Sequence, residues 1–257
     1  NEKKDEMIFV QFDITEDSFE ELGNDIDLIK KLYLQQDLIN NNFDRSRRGF
    51  AKIIQRDENF LIEYINNLYS KKQKQNQHYL HEDRHLNVIW ESNKIEPILK
   101  TVFDLLDKKE VYLGIGEHFC NSFFWNLSQE ASIRAKSFLL DYCKENYGSH
   151  KKMNLIVDIA RHSMKEIFED VLLLFISLTQ DVDLFSNIYW RGNGETVVGD
   201  VNFGDLEASD WKKILSIVEK SDLGIKLIPI KKYLNTQIEN GLKYADWERK
   251  RKFIGND

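Results

Sequence analysis

Two cysteines, two prolines and twelve glycines are all that this chain of 257 residues holds of the residues that cross-link a fold or interrupt a helix. Cys120 and Cys143 are too few for a disulfide-rich scaffold or a four-cysteine zinc site. A reducing compartment, the cytoplasm, is therefore the default expectation. Proline and glycine both fall below their average usage of about 5% and 7%, so long helices come first to mind. The longest strongly apolar stretch, Val171 to Leu178, is far short of the roughly 20 residues that a membrane-spanning helix needs. No G-x-x-x-x-G-K-[ST] occurs, which excludes nucleotide binding by a P-loop within this chain. Gly114-Ile-Gly116 and Gly192-Asn-Gly194 do not extend to a dinucleotide fingerprint. The charged start, Asn1 to Glu6, lacks the order of regions of a secretory signal and has no initiator Met. The expectation is a C-terminal piece of something longer.

What the chain does have is a soluble, acidic composition: 42% hydrophobic, 31% charged, and 36 Lys plus Arg against 43 Asp plus Glu, a formal charge of −7. Its length allows a substantial core and one to two domains. Apolar residues recur at helical spacing almost throughout. From Asp44 to Gln55, Phe50, Ile53 and Ile54 share a face, and Asp57 heads a second run through Phe60, Leu61, Tyr64, Ile65 and Leu68. Asp44 and Asp57 are suited to cap these helices, because a carboxylate accepts from the free N–H groups of a first turn. Leu86, Ile89 and Trp90 end a short helix, and Ile95 to Leu106 forms the next, with Pro97 in a first turn where its missing N–H costs nothing. His118 to Asn126 follows, then a helix capped by Ser128 that runs through Ile133, Phe138, Leu139, Tyr142 and Cys143 to a stop near Gly148. Ser149 begins a long stretch to about Gln180, too long for one ordinary helix and expected to break near Arg161 to Ser163.

One interval departs from this habit. Trp190 to Gly204 holds four glycines with Thr196, Val197, Val198 and Val201, which predicts a turn and a short extended or β segment. Helix is then expected from Trp211 to Lys220, capped by Ser209 or Asp210. A final helix opens at Pro229 and runs to about Phe253, with Leu234, Ile238, Leu242 and Ala245 on one face. Short-linked helices of unequal length predict an all-α fold, an irregular α-solenoid of the HEAT or armadillo kind. This would be one elongated helical domain over residues 1–257, open to subdivision into a stack of helix pairs at 1–189 and an extended segment with two terminal helices at 190–257.

His81-Glu82-Asp83-Arg84-His85 matches H-E-x-x-H. In zinc peptidases two histidines four apart share a helical face and hold the metal, while the glutamate is general base for metal-bound water. Here the variable positions are charged, and the preceding segment, Lys71 to His78, is polar. A solvated helix would leave a metal without a dry, shaped cavity. A third ligand is also required. Glu91, Glu96 and Glu110 are candidates, but none lies in a second motif, and adding His78 makes only a cluster suited to opportunistic metal capture. The motif is read as a solvated helix start, with a zinc-dependent hydrolase using His81, Glu82 and His85 as the alternative. His118 beside Cys120 and His150 near Cys143 lack any nucleophile signature, and core cysteines are the simpler reading. Arg161-His162 is read as an exposed face or a buried polar contact. The basic clusters Arg45-Ser-Arg-Arg48 and Arg249-Lys-Arg-Lys252 could touch phosphate, Arg47 and Arg48 foremost, yet each is short and the sequence pI is about 5.5. Nucleic-acid binding is disfavoured. No catalytic, cofactor-binding or metal-binding residue is assigned, and no cofactor is expected.

Asn187-Ile-Tyr-Trp-Arg-Gly-Asn-Gly194, Asp205-Leu-Glu-Ala-Ser-Asp-Trp-Lys-Lys-Ile-Leu215, Gly224-Ile-Lys-Leu-Ile-Pro-Ile-Lys-Lys-Tyr-Leu234 and Trp247-Glu-Arg-Lys-Arg-Lys-Phe253 together resemble the C-terminal end of large bacterial STAND-type ATPases. In that family a P-loop module precedes a helical repeat region that senses or binds a partner. The resemblance covers roughly the last 70 residues and carries over no functional residue. It implies a non-catalytic sensor or protein-interaction region of a larger signalling ATPase, plausible in bacterial stress or antiviral defence, with a protein partner or the parent ATPase domain as its contact.

Overall fold

The computed structural model describes residues 22, 24–39, 48–75, 94–105, 115–124, 129–191 and 202–254. Among them lie eleven α-helices, two short 3-10 turns and no strand, so the fold is all-α. The chain divides into two compact units, residues 1–123 and 124–257.

The first unit holds α1 (Ile26–Ile39), α2 (Arg48–Arg56), α3 (Phe60–Gln75), α4 (Ile95–Asp104) and α5 (Ile115–Ser122). The apolar faces expected from spacing are the ones that close. Phe50 and Ile53 of α2 are buried, as are Phe60, Leu61, Tyr64, Ile65 and Leu68 of α3. Tyr33 of α1 completes an aromatic knot, its ring edge-on to Phe60 at 5.7 Å, while Phe50 meets Tyr64 at 4.8 Å. Such edge contacts add to the burial energy of the rings themselves. Asp57 does cap the approach to α3, its Oδ1 accepting from the N–H of Asn59 at 3.0 Å. Asp44, the other expected cap, lies outside the described residues, as do Leu86, Ile89, Trp90 and Leu106.

A charged cluster ties α1 to the start of α3. The Lys30 ammonium, on a side chain only 9% exposed, lies 2.8 Å from both Asp57 Oδ2 and Glu63 Oε1, and 3.2 Å from Asp27 Oδ1. Burial draws the lysine pKa down, but the hydrogen bonds to the three carboxylates outweigh it and leave the pKa raised. Asp57 moves the opposite way. The hydrogen bond from Lys30 holds its carboxyl below the usual value, against the opposing pull of partial burial. A depressed carboxyl contributes stability above its unfolded pKa, near 4, and loses it as pH falls through the folded value. A raised lysine contributes below its unfolded pKa, near 10, and loses it as pH rises through the folded value. We therefore expect the stability gap between wild type and Lys30→Met to be flat between about pH 5 and 9 and to narrow below about pH 4. Thermal unfolding across that range decides it; a gap that persists unchanged into strong acid means that the cluster contributes nothing through charge.

The second unit holds α6 (Gln129–Asn146), α7 (His150–His162), α8 (Phe168–Leu178), α9 (Val182–Ser186), α10 (Phe203–Lys220) and α11 (Ile228–Ile254). Ser149 caps α7, its hydroxyl accepting from the N–H of Lys152. The expected break is real. Helix α7 ends at His162, Met164 leaves helical geometry, and a 3-10 turn at Lys165–Ile167 redirects the chain into α8. Asp181 then caps α9 through two backbone N–H groups.

Three expectations need correction. Ile133 does not line the core side of α6 but is 68% exposed, and the buried row is Ala131, Ala135, Leu139 and Cys143. An isoleucine on the outer face is no anomaly. Leu242 of α11 is likewise exposed, because the buried row passes through Gly241 on its way from Ile238 to Ala245. Helix α10 begins at Phe203 rather than near Trp211. Of the interval expected to be extended, residues 192–201 lie outside the described residues, and Phe203 and Gly204 are already helical.

Candidate functional site

Helices α10 and α11 form an antiparallel hairpin whose backbones nearly touch. A Cβ placed on Gly204 would lie 2.4 Å from both the Ala245 nitrogen and the Gly241 oxygen, and one on Gly241 would lie 3.0 Å from the Ala208 nitrogen. Gly204 and Ala208 thus face Gly241 and Ala245, four apart on each helix. Only residues without a sizeable side chain permit this approach. It also explains the early start of α10. Asn202, the N-cap residue, makes no capping bond with its side chain; instead Glu248 reaches across from α11 and accepts from the Gly204 N–H at 3.0 Å. A carboxylate there also suits the positive end of the helix dipole.

Away from this contact, the hairpin carries aromatic and cationic side chains at two levels. At the lower level Trp190 is fully buried, stacked on Phe185 at 5.1 Å and edge-on to Phe175 at 5.2 Å, with its Nε1–H donating to the Phe185 carbonyl at 3.0 Å. Its own carbonyl accepts from Arg161, and the neighbouring Tyr189 N–H donates to Asn154. This corner aims Arg191 at α10, where it pairs with Glu207 at 2.8 Å and lies over the Trp211 ring at 5.1 Å. Tyr233 of α11 packs edge-on against both Trp211 and Phe185. Burial raises its hydroxyl pKa, opposed by Arg191 and aided by Glu207.

At the upper level the rings are open to solvent. Phe203, Tyr244 and Trp247 are 41%, 45% and 49% exposed. Phe203 is edge-on to Tyr244 at 6.3 Å, Tyr244 is stacked on Trp247 at 5.5 Å and 25°, and the Arg251 guanidinium lies 5.0 Å from the Trp247 ring centre. The spacing 244, 247, 251 is that of one helical stripe. On another flank Arg249 grips Asp205 with a single nitrogen, at 2.6 and 2.7 Å, and also bonds Asp246. Hydrogen bonds from Asn202 and then Arg249 hold the Asp205 carboxyl below its usual range. Half of the expected basic cluster is therefore spoken for: Arg249 by carboxylates and Arg251 by an indole.

The other sequence candidates part ways here. His78, His81, Glu82, His85, Glu91 and Glu110 lie outside the described residues, as do Arg45 and Arg47. Glu96 is exposed in the first turn of α4. Among the described residues no group of three or more His, Cys, Asp or Glu is placed to hold a metal ion. Both cysteines are core residues: Cys120 Sγ lies 3.0 Å from the Val102 carbonyl, and Cys143 Sγ lies 3.7 Å from Met153 Sδ. Burial pushes the Cys143 thiol up to about 12, far from nucleophilic, and His150 is exposed. Arg161 is a structural pin for Trp190, while exposed His162 contacts Asp158 of its own helix. The aromatic stripe was missed by sequence reading. Its signal, Tyr244 to Arg251 at helical spacing off the apolar row, lies in plain view beside the basic run.

Searches of protein-family models, curated proteins and solved structures return no match to this chain. No helix among the described residues is long and apolar enough to cross a membrane.

Proposed function

We propose that this chain is the non-catalytic protein-interaction or sensing region of a larger STAND-like signalling ATPase, working in the bacterial cytoplasm in stress or antiviral defence. The observation that carries the reading is the solvent-facing row of Phe203, Tyr244, Trp247 and Arg251. Tryptophan, tyrosine and arginine are the residues that most often anchor protein interfaces, and here they are prearranged on a rigid hairpin. That hairpin falls within the roughly 70 C-terminal residues over which the chain resembles the STAND C-terminal end.

The test is turnover by the 257-residue chain with ATP and with a generic peptide substrate, each with and without added zinc. We expect none above background in every case. Turnover abolished by His81→Ala or Glu82→Gln would replace this reading with the zinc-dependent hydrolase. The ATPase attribution is tested separately, by sequencing the reading frame upstream of Asn1: a P-loop module encoded in frame is expected, and a frame without one removes it.

A further inference from the structure

We infer that the first turn of α10, Phe203 to Leu206, is a conformational latch that opens from α11 while the rest of the hairpin stays folded. What the latch governs, the cover that Phe203 gives to Tyr244, matters for binding only on the interaction reading above; the opening itself does not depend on that reading.

The turn has little of its own to hold it. Phe203 and Leu206 are 41% and 39% exposed, and the buried side chains of α10 begin only at Ala208 and Trp211. Gly204 is a poor helix former. The local backbone bonds are long, the N–H groups of Asp205 and Leu206 donating to the Asn202 carbonyl at 3.2 and 3.3 Å. Asn202 stands where a side-chain oxygen ordinarily accepts from the first turn. Here its amide nitrogen donates to Asp205 Oδ2 at 3.1 Å instead, and its Oδ1 is buried without a partner. An unpaired buried acceptor costs free energy, and opening to water returns it.

What closes the turn comes from one stretch of α11. Tyr244 meets Phe203, Glu248 accepts from the Gly204 N–H, and Arg249 holds Asp205. The Arg249–Asp205 pair is exposed, and exposed ion pairs hold weakly and are screened by salt. A segment with few buried apolar contacts and solvent-facing polar bonds opens locally, well below the free energy of global unfolding. Beyond the turn the hairpin is held differently. Glu207 is tied to Arg191, Ala208 packs against Gly241, and Trp211 packs against Tyr233. The latch therefore ends at Leu206. When it opens, Phe203 leaves Tyr244 and Gly204 leaves the α11 backbone, while the buried contacts below stay in place.

The experiment is amide hydrogen exchange, read residue by residue by NMR, on the whole 257-residue chain. The reporting amides are those of Glu207 and Ala208, whose helical acceptors are the carbonyls of Phe203 and Gly204. We expect both to exchange about tenfold faster in Glu248→Ala, the effect of losing a helix cap, and faster also in Arg249→Ala. In the wild type, raising sodium chloride should speed the same two amides. The amides of Trp211 to Val218 should not respond, nor should the first turns of α7, which is capped locally by Ser149. The salt series needs no substitution, so it stands even where a variant fails to fold. Equal acceleration along all of α10 overturns the inference, because the hairpin then opens as one body. Exchange at Glu207 and Ala208 that neither variant nor salt changes overturns it as well. These outcomes are separate from the turnover assay: catalysis refutes the proposed function without touching the exchange rates, and a turn that does not open leaves the non-catalytic reading standing.

Discussion

Trp190→Ala should destabilise the protein by about 3–5 kcal/mol, the cost of removing a fully buried large aromatic side chain. For a chain of this size that is a fall of roughly 6–20 °C in the thermal midpoint. Three consequences combine. The Phe185 and Phe175 rings lose their central partner, the Phe185 carbonyl loses its donor, and the backbone turn that receives Arg161 loses its anchor. Trp190→Phe separates these contributions, because a smaller ring keeps much of the stacking but leaves the carbonyl without its partner, at about 1–3 kcal/mol. Circular dichroism melts of the two variants give the order wild type, Phe, Ala. An alanine variant within about 1 kcal/mol of wild type would show that the corner does not hold the second unit together.

Gly204→Ala carries the other large effect, from a single added methyl. The atoms that a Cβ would meet at 2.4 Å are backbone, the Ala245 nitrogen and the Gly241 oxygen, and a flexible side chain cannot swing aside to make room. Either α10 or α11 must move, and overpacking of this kind costs about 1–3 kcal/mol or more. Displacement would also loosen the Glu248 cap, the Asp205–Arg249 pair and the Phe203–Tyr244 contact, all set by the same spacing. Gly241→Ala, with its nearest contacts at 3.0 Å, should cost less. Gly148→Ala meets nothing within 4 Å and should be neutral or slightly stabilising, through a less flexible unfolded chain. Denaturant midpoints in the order Gly148→Ala, Gly241→Ala, Gly204→Ala, from highest to lowest, test the close approach. A Gly204→Ala variant as stable as Gly148→Ala rules it out.

Helix existence and most core faces were legible because they rest on local spacing. Phe50, Ile53, Phe60, Tyr64 and Leu68 recur with the period of a helix, and burial follows from that period whatever the helix packs against. Asp57 could be read as a cap for the same reason, since a cap acts within three residues of itself. The break after His162 shows in a helical run too long to be one element.

Where the reading failed, the deciding contact was distant in sequence. The spacing of Ala208, Trp211 and Ile214 marks a helix, but its start at Phe203 was not legible, because the glycine at 204 argued for a loop. Its helix is capped by Glu248, 44 residues away, and its lack of a side chain is used against Gly241 and Ala245. The same contact draws the buried row of α11 through Gly241 and turns Leu242 outward. In α6 the buried row runs through Ala131 and Ala135, and the more hydrophobic Ile133 faces water. The candidate site divides the same way. The basic run and the aromatic residues of α11 are visible in the sequence, but which arginine answers to a carboxylate and which to an indole depends on where Asp205 and Trp247 stand around the helix. By itself, then, the sequence determined an all-α chain and most of its helices, because periodicity and capping are local. Only the tertiary structure decided which small residues bring two backbones together and which large ones are left facing water, because both depend on what lies opposite.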